Sequence, residues 1–170
     1  MKISKFFIVN LLLMLIYGQA LGQEKTQKME NWALYSQTTS EFPEEQIKEI
    51  GGSNKYFVTT NAEGNKTYHY EWDDLKVRAS QIPKQKLKNH LNGLVGYINH
   101  LYSSNNIEPN KKIIKRLSET VAVFSIVIEP AGDETGRGHE IVGAIKHFTS
   151  SLMFYADTLL DENGEIIIGP

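Results

Sequence analysis

Apolar and polar positions alternate along this chain in several distinct rhythms, and each rhythm predicts an element. In "IPKQKLKNHLNGLVGYINHLYSS", Leu87, Leu91, Leu94, Ile98 and Leu101 follow one another at spacings of four, three, four and three. On a helix these positions form a single stripe. Pro83 suits its start, so the pattern predicts one long helix from Lys84 to about Tyr102. Its opposite face carries Asn89, Asn92, Gly93, Gly96, Asn99 and His100. Each interior glycine costs roughly 1 kcal/mol relative to alanine. Close approach of another backbone would offset that cost, and so would a sufficiently strong apolar stripe.

A period of two marks "KYFVTTNAEGNKTYHYEW". Two runs of β-branched and aromatic residues flank "NAEG", where Gly64 can take the left-handed conformation of a short hairpin loop. In the second run Tyr68, Tyr70 and Trp72 alternate with Thr67, His69 and Glu71, giving one aromatic and one polar face. Buried, the aromatic face is core, which is its commoner fate; exposed, it is a stacking platform. "TVAVFSIVIEP" is apolar on both alternating faces, as a central strand covered on each side should be, and Pro130 ends it.

Weaker signals fill the remainder. "SEFPEEQIKEIGG" reads as a short helix, with Pro43 and two acids in its first turn and glycines after its end. A second short helix should begin near Pro109 and include Ile113, Ile114 and Leu117. In "HEIVGAIKHFTSSL", Ile141, Ile145, Phe148 and Leu152 fall at helical spacing. "LMFYADTLLDENGEIIIGP" reads as a hairpin closed at "DENG" by Gly164. Residues 23–40 are polar, with Trp32, Leu34 and Tyr35 as anchors, and predict a loosely ordered segment that docks through Trp32. The expected fold is α+β: an antiparallel or mixed sheet with two hairpins, packed against one long and several short helices.

The start of the chain changes the picture of where the protein works. Lys2 and Lys5 precede an apolar run from Phe6 to Tyr17, and Ala20-Leu21-Gly22 offers small residues for a signal peptidase. Residues 1–22 therefore predict a cleaved export signal, too short in its apolar run to span a bilayer, with residues 41–170 as one α+β domain. The chain has no cysteine. That removes disulfides, thiol chemistry and lipoprotein anchoring, and leaves stability to the core. The expected location is periplasmic or extracellular.

Charge is arranged in blocks within a net charge of −2. Residues 76–116 hold nine bases and one acid, whereas 117–170 hold two bases and nine acids. Either the blocks neutralise one another in the fold, or Lys84, Lys86, Lys88, Lys112, Lys115 and Arg116 form a basic face for an anionic partner. Nucleic acid is not the expected partner, given the net negative charge and the compartment.

The chemistry-bearing motifs are incomplete. "GDETGRGHE", residues 132–140, opens like a dinucleotide loop, but Ile141 stands at the third glycine position, and the chain has no G-K-[ST]. His139-Glu140 lacks the second histidine of H-E-x-x-H, and the five histidines show no ligand spacing. No G-x-S-x-G nucleophile motif is present. No metal or cofactor is expected, and "GDETGRGHE" reads as a surface loop letting a buried strand exit into water. The reading favoured is a small exported binding protein, an adaptor or an inhibitor of immunity type, acting on a protein of the envelope or periplasm. Its candidate surface is Lys84, Lys86, Lys88, Gly93, Gly96, His100, Lys112, Lys115 and Arg116. The alternatives are a hydrolase whose acids and histidines meet only in the fold, with Asp133, His139 and Glu140 nearest, and a small-ligand binder.

Overall fold

The computed structural model describes residues 29–104 and 110–169. The export signal and Pro109 lie outside the described residues. In chain order the elements are β1 (Glu30–Ser36), α1 (Glu44–Ile47), a 3-10 turn (Ile50–Gly52), β2 (Lys55–Thr60), β3 (Lys66–Glu71), β4 (Lys76–Gln81), α2 (Lys84–Ser104), α3 (Lys111–Ser118), β5 (Ala122–Glu129), α4 (Arg137–Thr149), β6 (Leu152–Tyr155), β7 (Thr158–Leu160) and β8 (Ile166–Ile168). The strands form one sheet in the order β2-β3-β4-β5-β1-β6-β7-β8, with every neighbouring pair antiparallel. The fold is α+β, with one long helix. No described helix is long and apolar enough to cross a membrane.

Strand alternation divides the interior into two layers. Leu34, Tyr70, Val77, Phe124, Ile126 and Ile128 face α1 and α4, whose Ile47, Ile141, Val142 and Ile145 complete that core. Tyr35, Val123, Leu152, Leu159 and Ile168 face the other way, against Leu91, Leu94 and Ile98 of α2 and Ile113 and Leu117 of α3. Thus β5 is apolar on both faces because helices cover both, as its composition predicts.

Three expectations need correction. Residues 30–36 are not part of a loose segment but the strand between β5 and β6. Trp32 and Leu34 serve one core and Ala33 and Tyr35 the other, so two-sided burial erases the period-two signal. The C-terminal region is three strands, not one hairpin. Its first turn, Tyr155 to Thr158, places Ala156 and Asp157 at φ 47° and 62°. Loops of that geometry ordinarily signal themselves with Asn-Gly. Finally, Leu152 belongs to β6 and Phe148 is 44 % exposed, so the stripe of α4 is Ile141, Val142 and Ile145.

The described residues cover the α2-side face of the sheet only in part. On β2, β3 and β4 it presents a row of Lys55, Glu71 and Lys76, a row of Phe57, His69 and Arg78, and a row of Thr59, Thr67 and Ser80, all exposed or half-buried. The Phe57 and His69 rings stack with centroids 4.4 Å apart, and the Thr59 hydroxyl lies 2.9 Å from His69 Nε2.

Candidate functional site

The long helix separates its two faces cleanly. Leu91, Leu94, Ile98 and Tyr102 are buried against the sheet, while Asn89, Asn92, Gly96, Asn99 and His100 are exposed and Gly93 is half-buried. A Cβ added at Gly93 or Gly96 would meet no atom of the described residues within 4 Å. Among the described residues, therefore, nothing makes a close approach at these glycines. Residues 89–104 contain no Lys, Arg, Asp or Glu.

The predicted basic residues divide into two groups. Lys84, Lys86 and Lys88 are exposed in the first turns of α2, and no ion pair among the described residues reaches them or Lys112. On α3 the Asn110 side chain accepts the Lys112 and Ile113 amides, fixing the helix start. Lys115 lies 3.6 Å from Glu119, and Arg116 donates to Glu162 at 2.7 Å. The Arg116 contact holds the Glu162 carboxyl below its ordinary range. Local acids thus neutralise the end of α3, as one of the two charge readings anticipates, whereas the start of α2 keeps its charge. Arg116 and Glu162 also border an open polar cleft of about 670 Å³ with Gln37, Glu119, Lys146 and His147.

One residue of α2 turns its ring inward. His90 stacks on Tyr35, and its Nε2 lies 3.1 Å from the Tyr35 hydroxyl. Burial lowers the His90 pKa, and burial raises that of Tyr35, so neutral partners share the contact. In the unfolded chain His90 titrates near its ordinary 6.5. Below that pH the unfolded state binds the proton more readily than the native state, so stability falls as pH drops. Burial depresses His69 in the same direction. The melting temperature should therefore fall between pH 7.5 and 5.5. His90→Phe should show a smaller fall whatever its absolute melting temperature, and an unchanged fall would acquit His90.

The loop "GDETGRGHE" builds the start of α4. Gly136 stands at φ 74° as the residue before the helix. Asp133 accepts the amides of Thr135 and Gly138 at 3.0 and 2.7 Å. Burial alone would raise the Asp133 carboxyl, but the Thr135 hydroxyl, these two amides and Arg137 hold it below its ordinary value. Arg137 Nη2 donates to both carboxylate oxygens of Asp74, at 2.8 and 2.9 Å, and the guanidinium lies over the Trp72 ring. A Cβ at Gly138 would come within 2.9 Å of Ile128, so glycine lets α4 press onto β5.

His139 does not join Asp133 and Glu140. Its Nε2 lies 2.9 Å from Oε2 of Glu30, a residue the sequence reading passed over. Trp32 Nε1 donates to the same oxygen at 3.2 Å, and the Gly132 amide donates to Oε1 at 2.7 Å. Trp32 in turn stacks on Tyr155 at 4.1 Å. Glu140 is exposed in the first turn of α4. Asp133 and His139 thus have separate partners, and no described contact joins either to the Glu140 side chain. Among the described residues, no group of three His, Asp or Glu is arranged to hold a metal ion.

Tyr68, Tyr70 and Trp72 are buried, with Phe42 stacked on Tyr68 at 3.8 Å, so this aromatic face is core. The chain matches no family model, no curated protein and no solved structure.

Proposed function

We propose that the chain is an exported protein that works by binding a protein of the envelope or periplasm, as an adaptor or an inhibitor, without catalysis. The observation that carries this reading is the outer face of α2, which has no Lys, Arg, Asp or Glu from residue 89 to 104, is open above both glycines among the described residues, and is flanked at its start by lysines that no described acid pairs. Protein interfaces are depleted of charge at their centre and polar at their rim. Gly93 and Gly96 permit a partner backbone to approach more closely than any side chain would. Lys84, Lys86 and Lys88 suit an acidic rim on that partner, with an attraction that salt weakens, because exposed charges are screened over roughly 10 Å at 0.1 M. The apolar run and small-residue site at residues 6–22 support delivery to the envelope.

The test uses residues 23–170 as bait in an envelope extract, beside the Gly93→Ala/Gly96→Ala variant. Alanine should stabilise the helix by roughly 1 kcal/mol per site. The expected result is a captured partner whose affinity weakens in this more stable variant. No capture, or capture with undiminished affinity for the variant, would overturn the proposed surface.

A further inference from the structure

β2 ends the sheet, and its outer side is unusually ready to pair. The Trp72 amide donates to the Leu75 carbonyl at 2.8 Å, which assigns the even-numbered residues of β3 to β4 and leaves Thr67, His69 and Glu71 to bond β2. At the other end, the Asn61 amide donates to the Asn65 carbonyl at 3.0 Å and gives the same alternation. Lys55, Phe57 and Thr59 therefore spend their backbone groups on β3. Tyr56, Val58 and Thr60 direct theirs outward, and no described residue pairs with them.

Edge strands are ordinarily blunted by proline, bulges, inward charges or a covering element. β2 has no proline, its register with β3 is unbroken, and its single charge is Lys55 at the start. The opposite edge, β8, has three residues and follows a register shift at Leu159/Leu160.

We infer that β2 is the docking edge for a second copy of this chain, pairing antiparallel about Val58 to join two sheets into one. The strand is complementary to itself in that register. Outward groups stand at 56, 58 and 60, symmetric about 58, so Tyr56 meets Thr60, Val58 meets Val58 and Thr60 meets Tyr56. Every outward donor and acceptor then finds a partner. Aromatic and β-branched cross-strand pairs of this kind are favourable. Phe57 falls beside Thr59 on the other face. The two Lys55 side chains sit at opposite ends, roughly 20 Å apart at 3.3–3.4 Å per residue, so like charges do not oppose. The pairing also sets the two partly uncovered faces side by side, doubling the surface that carries Phe57, His69 and Arg78. A single strand pair buries less than the roughly 1,200–2,000 Å² of a standard interface, so the dimer is reversible.

Sedimentation of residues 23–170 from about 5 to about 500 µM spans the affinities such an interface reaches. The expected result is a dimer fraction that grows with concentration. Thr60→Pro removes an outward amide but no β2–β3 bond, and should give a folded monomer by circular dichroism. Because the chain has no cysteine, Val58→Cys supplies a second measurement. Its thiols face each other across the two-fold and should cross-link on mild oxidation, whereas Thr60→Cys, opposite Tyr56, should not. A monomer at every concentration, a dimer that survives Thr60→Pro, or equal cross-linking of the two cysteine variants overturns the inference.

Discussion

Leu94→Ala should cost roughly 2–5 kcal/mol, a large part of the 5–15 kcal/mol that holds a typical domain together. Several residues of α2 weaken it as a helix. It has two interior glycines and three asparagines at 89, 92 and 99, and its first turn carries lysines and no acid against the helix dipole. Tertiary burial must therefore supply most of its stability. Leu94 lies near the middle of the buried stripe, in the core layer of Tyr35, Val123 and Leu152. Truncation removes contact with that layer and leaves a cavity. The two glycines on the opposite side predict the contrary sign for alanine, so one helix yields both responses from its two faces. Urea titration of each variant would read them. A Leu94→Ala cost below about 1 kcal/mol would mean that α2 does not pack on the sheet as described.

What the sequence showed of this fold follows from how strongly each element is one-sided or two-sided. α2 was legible because its stripe is regular over five residues, and β5 because its apolar run is bounded by a proline and too long for a chance cluster. The β2–β3 hairpin announced itself through Gly64, which stands at φ 81°. β1 was not legible. It serves both cores, and its Glu30 reads as a surface residue until the distant Gly132 and His139 are placed beside it. β4 was missed for a different reason. Val77 and Ala79 are its only inward apolar residues, and Lys76 and Arg78 lie between and before them. The Ala156-Asp157 turn carries no recognisable turn residue at its first position, so the last three strands merged into one hairpin.

The candidate site was legible to a similar degree. The glycines and bases of α2 could be named, and their exposure follows from the stripe opposite them. That Lys115 and Arg116 would be matched by Glu119 and Glu162 could be suspected for the first pair, four residues apart, but not for the second, which spans the chain from α3 to the β7–β8 loop. Likewise, no spacing rule links His139 to Glu30, because the contact exists only once β1 lies beside β5 and α4 folds back over both. The free edge of β2 is a property of sheet order, which local periodicity does not encode.

Glu30→Ala should be the costliest polar substitution, at about 1–3 kcal/mol near neutral pH. The carboxylate is 8 % exposed and receives the Gly132 amide, the Trp32 indole and His139. It therefore ties the first strand to the loop before α4 and to α4 itself. Alanine would leave the amide and indole without their acceptor and would free the Trp32 ring that stacks on Tyr155. Because the His139 side chain is 43 % exposed, its share of the effect is screened and small. Burial alone would raise the Glu30 carboxyl, but the Gly132, His139 and Trp32 hydrogen bonds more than offset this and hold it below its ordinary 4.5. For an acid depressed in the native state, the stabilisation is complete above the unfolded value and is lost as pH falls through the native one. Wild type should therefore lose part of its advantage over Glu30→Ala as the pH is lowered below about 4.5. Paired urea titrations at neutral and acid pH would measure the gap. A gap that stays constant would mean that the charge on Glu30 contributes nothing and that only the shape of its side chain matters.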